Sequence, residues 1–188
     1  IGRGWMGSVH SRAYRAVPDR FPDCQISPRL IICADEVEAR AKEAQARFGF
    51  SESTTDWQQV LDHPDVDVVN IATPNHMHLE QVKAAAEAGK HILCEKPVGL
   101  DPEETAEIAQ IVQEAGLLSF VGYNYRWAPA VQRALELVQQ GKIGRLTHYK
   151  GWLLVGYASD PGSVLSWRLQ SDLGGMGALG DLMSHAID

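Results

Sequence analysis

The clearest chemical spacing stands at the start of the chain, where Gly2, Gly4 and Gly7 fall in Gly2-Arg3-Gly4-Trp5-Met6-Gly7, a G-x-G-x-x-G pattern. In such a turn the first glycine permits a tight reversal. The second lets the backbone approach a pyrophosphate, and the third lets the next helix pack on a sheet. Backbone N–H groups at the helix start, with the helix dipole behind them, then face the anion, and Trp5 and Met6 lie beside it. Three glycines this close also suit an ordinary loop, so the pattern needs context. Asp35 supplies it, at the end of the apolar run 30–34, where a carboxylate can bond an adenosine ribose. The interval from the turn exceeds the usual ~20 residues, and the proline-rich connection 17–28 accounts for the excess. Glu36 follows, with no basic residue before Arg40. A 2′-phosphate would meet two carboxylates and no cation, which favours NAD over NADP. Asp35 also suits the N-cap of the following helix.

The elements that must hold these residues alternate. Strand-length apolar runs at 30–34, 68–72, 91–94 and 117–121 are separated by helical patterns at 5–16, 37–48 and 75–89, the last with Asn75 as a candidate cap. Gly49 stands where a C-terminal glycine cap belongs, and Asp101-Pro102-Glu103-Glu104 is a helix start. This alternation predicts an α/β fold with a doubly wound, Rossmann-type parallel sheet covered on both faces. Near residue 123 the pattern changes. A helix over 129–140 leads to a strand-like stretch, 146–155, then to a glycine cluster at Gly174, Gly175 and Gly177. We expect a dinucleotide-binding domain over 1–122 and the beginning of a second, open-sheet α/β domain over 123–188. The bare glycine turn at one end and the uncapped helix at the other are expected of a fragment truncated at both ends.

Composition narrows the partners. A net charge of −7, spread through helices, argues against nucleic acid and anionic membranes. No apolar run approaches the ~20 residues of a membrane span. Cys24, Cys33 and Cys94 form no C-x-x-C pair. They are expected to be unpaired thiols in a reducing compartment, the cytoplasm, with no zinc site.

Three further stretches extend the glycine turn: Ala72-Thr73-Pro74-Asn75-His76-Met77-His78, Cys94-Glu95-Lys96-Pro97, and Gly174-Gly175-Met176-Gly177-Ala178-Leu179-Gly180-Asp181 through His185. In this order they resemble the Gfo/Idh/MocA family of oxidoreductases over essentially the whole chain. Ser159-Asp160-Pro161 and Leu165-Ser166-Trp167-Arg168 are most similar to its levoglucosan and inositol dehydrogenase-like branch. The resemblance implies a Rossmann domain followed by an open-sheet domain, NAD as cofactor, a sugar or polyol substrate, and homo-oligomers in the full-length protein. It places the family's lysine, aspartate and histidine on Lys96, Asp181 and His185, and it implies a cis Lys96-Pro97 bond.

The chemistry then expected is hydride transfer between a carbinol carbon and nicotinamide. Lys96, beyond a buried strand, is expected to bond the reacting oxygen, or else to pair with Glu95 at the surface. Asp181 and His185, four residues apart, share one helix face, so the carboxylate can orient the imidazole while the imidazole exchanges the proton. The same pair could hold a metal, but no third ligand is evident. Thr73, Pro74, Asn75, His78 and Glu95 are expected to line the dinucleotide cleft, or simply to form a capped helix start. Asn124, Trp167 and Arg168 are expected to touch the cofactor from the second domain, and Tyr125 and Arg126 the sugar, with interdomain packing as the plainer role for the aromatics. His10, His63, His91 and His148 read as structural. Two other functions fit the same motifs: a glycoside hydrolase that retains NAD, and a dinucleotide-binding regulator without turnover.

Overall fold

Short apolar runs and Ala/Glu-rich stretches fold into parallel strands covered by helices, in a computed structural model that describes residues 1–156, 159–162 and 164–188. Strands β1 (Ile32–Ala34) and β2 (Glu52–Thr54) pair in parallel, as do β3 (Val68–Ile71), β4 (His91–Cys94) and β5 (Ser119–Val121), in the order β3-β4-β5. Ile1 and Gly2 join the two groups. The Gly2 N–H donates to the Ala34 carbonyl and the Ala72 N–H to the Ile1 carbonyl, both at 2.9 Å. The glycine turn therefore lies at the carboxyl ends of strands, where open α/β sheets bind ligands.

Helix α1 (Trp5–Arg20) leaves from that turn; α2 (Glu38–Phe48), α3 (Gln58–Asp62), α4 (His78–Glu87) and α5 (Pro102–Glu114) complete the cover. Val69 and Ile71 of β3, Ile92 and Cys94 of β4, Val82 and Ala85 of α4, and Ile108 and Val112 of α5 form the main core. Local signals act as expected at two ends. Gly49 ends α2 in the left-handed region at φ +78°, and Asp101 accepts the Glu104 N–H at 2.7 Å to start α5. The Lys96-Pro97 bond is cis.

Several elements differ from expectation. The helix at the start runs on to Arg20, through Pro18. The 75–89 stretch opens as a 3₁₀ turn, Asn75–Met77, and Asn75 caps nothing. Its amide donates instead to the Gly174 carbonyl at 3.1 Å. Strand β2 and helix α3 carry no clear sequence signal and form nonetheless. After β5 come a 3₁₀ turn (Tyr125–Trp127), α6 (Pro129–Gln139), a 3₁₀ turn (Trp167–Leu169), α7 (Ser171–Gly174), a π-helical turn (Leu179–Met183) and α8 (Ser184–Ile187). The expected strand over 146–155 is not formed. A strand exists by its ladder partners, and no described segment pairs with this one. Among the described residues, no helix is long and apolar enough to cross a membrane.

Candidate active site

The three glycines of the turn meet three different demands. A Cβ on Gly2, at φ +84°, would lie 2.6 Å from the Ala72 carbonyl oxygen, and one on Gly7 would lie 2.0 Å from the Gly2 carbonyl oxygen. A Cβ on Gly4 would meet nothing within 4 Å, so this exposed residue fronts open space. No side chain caps α1 and no acidic residue occupies its first turn, leaving the helix start to an anion. Asp35 is buried. Its Oδ2 accepts the Arg3 N–H and its Oδ1 the Val37 N–H, both at 2.9 Å, which makes an Asx turn ahead of α2 rather than a helix cap. A carboxylate offers about four acceptor sites, so the two bonds to Arg3 and Val37 do not use up its acceptor capacity. These residues fit a dinucleotide. A cation does stand near the carboxylate: Arg40 reaches to 3.9 Å from Asp35 Oδ1, although its guanidinium is mostly exposed.

Lys96 follows β4, and its Nζ donates to Asp181 Oδ1 and to the Asp181 carbonyl, each at 2.7 Å. This contact excludes the surface pair with Glu95. Asp181 is buried in the π-helical turn, and Arg168 Nε stands 3.6 Å from its Oδ2. The Arg168 guanidinium itself lies over the Trp167 ring at 4.3 Å. The glycine cluster makes this approach possible. A Cβ on Gly175, at φ +67°, would lie 2.2 Å from the Leu100 carbonyl oxygen, and one on Gly174 would crowd the Arg168 backbone.

His185 follows one turn later. Tyr125 stacks on its ring at 4.4 Å and Tyr123 meets it edge-on at 5.8 Å. Burial, then the Lys96 charge, hold its pKa below the ordinary histidine value, against the opposing pull of Asp181, Glu95 and Asp188. The imidazole is therefore neutral near pH 7, as a proton acceptor requires. Its Nδ1 is buried without a hydrogen bond among the described residues.

Other expected residues are placed differently. His78 is fully buried and does not line the cleft; its ring nitrogens face the Pro97, Val98 and Thr73 carbonyls at 3.0–3.1 Å. It ties the Thr73-Pro74 turn to the segment after Lys96. The Thr73 hydroxyl is spent on Gln81 at 2.7 Å, which leaves the backbone of Thr73 and Pro74 to shape the cleft. Arg126 is exposed and bonded through two nitrogens to Asp188, whose carboxylate also acts on His185. Trp5 and Asn124 are exposed and Met6 partly so. Glu95 is buried, and its partner is His10, a residue read from sequence as merely structural. Nothing in the local sequence around His10 pairs it with Glu95; only the fold does.

The family model described as the oxidoreductase family with an NAD-binding Rossmann fold matches residues 1–123, and the Gfo/Idh/MocA C-terminal domain matches residues 131–188. Levoglucosan dehydrogenase of Pseudarthrobacter phenanthrenivorans is 45% identical over 188 residues, all of this chain and 48% of that protein. The scyllo-inositol 2-dehydrogenase (NAD(+)) of Bacillus subtilis is 31% identical over 153 residues, 81% of this chain and 42% of that one. A levoglucosan dehydrogenase solved with NADH and levoglucosan superposes with a TM-score of 0.96 at 45% identity, covering 100% of this chain and 50% of the other. An NAD-binding oxidoreductase from Klebsiella pneumoniae does so at 0.92 and 38% identity, covering 100% and 50%. The chain spans about half the length of the curated relatives it matches.

Proposed function

The chain belongs to the Gfo/Idh/MocA oxidoreductase family, with an NAD-binding Rossmann fold, and from that premise we propose that the protein oxidises a sugar or polyol hydroxyl with NAD. The observation that carries the reading is the contact of Lys96 Nζ with Asp181, with His185 beside it, beyond the glycine turn. Lys96 has three N–H donors. Two are bonded to Asp181, and the third serves the substrate oxygen. Neutral His185 takes the hydroxyl proton at a ring nitrogen, and Asp181 holds both cations of the site in place. Bound NAD would supply the hydride acceptor for the carbinol C–H bond. Gly2, Gly4, Trp5, Met6 and Gly7 would hold the pyrophosphate, Asp35 the adenosine ribose, and Thr73, Pro74, Asn124, Trp167 and Arg168 the nicotinamide end. Tyr125 shapes the sugar side through its stack on His185.

The reading includes a domain boundary near residue 123, a cytoplasmic location and a homo-oligomer of the intact protein. The unpaired thiols Cys24, Cys33 and Cys94 support the second, and exposed Trp152 and Leu154 in the second domain support the third. Incubating the intact protein with NAD and a panel of levoglucosan, inositols and glucose tests it. Net NADH from at least one member is expected. No NADH from any member, with NADH still bound, would overturn the reading; glycoside cleavage without net NADH would make the protein a hydrolase.

A further inference from the structure

Beneath Lys96 lies a buried polar chain that the reaction does not use. His10, on α1, brings Nε2 to 2.8 Å from Glu95 Oε1, with both side chains largely withdrawn from solvent. The pair is an ion-pair contact that does not meet hydrogen-bond geometry, and Oε1 is buried with no hydrogen-bond partner among the described residues. On the other side of the ring, Asn70 Nδ2 meets His10 Nδ1 at 2.6 Å and reaches the Tyr14 hydroxyl at 3.3 Å. With the amide donating, Nδ1 is the acceptor and the imidazole proton sits on Nε2, the nitrogen on the Glu95 side of the ring. Glu95 Oε2 in turn accepts the Lys96 backbone N–H at 3.2 Å. Behind Glu95 there is no slack, since a Cβ on Gly122 would lie 2.9 Å from the carboxylate carbon.

A buried carboxylate is tolerated only where it is paired and bonded. Here the pairing group comes from the helix that follows the glycine turn, and the group it steadies is the backbone of Lys96. Three elements, α1, β3 and β4, are thereby tied together at one residue. We propose that His10 is a positioning residue, which through Glu95 fixes the Lys96 backbone, and so Nζ, against the nicotinamide end of the cleft. The placement of that cleft rests on the function proposed above, whereas the His10–Glu95–Lys96 linkage does not.

His10→Leu, His10→Gln and Gly122→Ala in the intact protein test it, each followed by NADH fluorescence titration, thermal unfolding and, with the sugar that is turned over, kcat and KM. A misplacement of about 1 Å costs on the order of 100-fold in rate. His10→Leu is therefore expected to lower kcat roughly 30- to 100-fold with KM for the sugar within about threefold, and to weaken NADH about fivefold. His10→Gln keeps an amide donor toward Glu95 and is expected to restore both to within about threefold of the parent. Gly122→Ala pushes the same carboxylate from the opposite side and should reproduce the leucine variant, which decides the matter if that variant fails to fold. Two results would overturn the proposal: unchanged kcat and NADH affinity in folded His10→Leu and Gly122→Ala, or a glutamine variant no better than leucine. If the parent oxidises no sugar, the proposed function fails by itself, and the NADH titrations alone decide the role of His10.

Discussion

The stretches on either side of residue 123 are held by different forces. Among the described residues, every buried apolar side chain of the core lies between Cys33 and Val112. After residue 123, Asp181 and Gly174 are buried, while Trp127, Leu146, Trp152 and Leu154 are exposed. The first stretch is stabilised by apolar burial. The second docks on it through polar and close-packed contacts: Asp181 on Lys96, the Gly174 carbonyl on Asn75, and Gly175 against Leu100. The difference places the lysine on a rigid support and makes the aspartate and histidine depend on docking. A site divided in this way can be damaged from either side, with different signatures.

The largest expected effect comes from the rigid side. Lys96→Met should lower kcat on the order of 1,000-fold and, by leaving buried Asp181 without its lysine, loosen the docked stretch, as steady-state kinetics and a melting curve will show. Ile71→Ala removes a fully buried side chain, and urea titration is expected to show a loss of about 2–5 kcal/mol. On the docking side, Gly175→Ala must put a methyl group against the Leu100 carbonyl at a positive φ. It should cost about 1–3 kcal/mol locally, and appear as lost turnover with the core transition intact. A global transition shifted as far as in Ile71→Ala would erase the contrast between the two stretches.

A smaller effect concerns pH. Burial holds the His185 pKa below its ordinary value, so the neutral, active form persists to lower pH. The acid limb of kcat/KM should therefore lie below the usual histidine range. Tyr125→Ala hydrates the ring, raises that pKa toward normal and should move the limb to higher pH; a shift to lower pH would show that the stack does not shield it. Smallest of all, Leu154→Ala, at a side chain 88% exposed, should change stability by no more than about 0.5 kcal/mol.

The parallel sheet was legible because apolar runs such as 91–94 and punctuation such as Gly49 and Asp101 act locally. Strand β2 was not, because Glu52-Ser53-Thr54 has no apolar pattern and is a strand only through its pairing with β1. The 146–155 stretch is the reverse case, a strand-like pattern with no ladder partner among the described residues. The site divides the same way. The glycine turn and Asp35 follow from backbone chemistry, whereas Lys96 and Asp181, 85 residues apart, came together only through family resemblance, since no periodicity spans that distance. His78 looked available and is consumed by three carbonyls. His10 looked incidental and faces Glu95. In both cases the side chain's partner is fixed by tertiary packing, which no local pattern records.

The divided site is tested most directly by a double-mutant cycle on kcat, with Lys96→Met, Asp181→Asn and the two combined in the intact protein. Groups that act as one unit are strongly non-additive. The double variant is expected to lose no more than about threefold beyond the worse single variant. Losses that multiply would mean that Lys96 and Asp181 act independently, and that the contact across the two stretches does not make the active site.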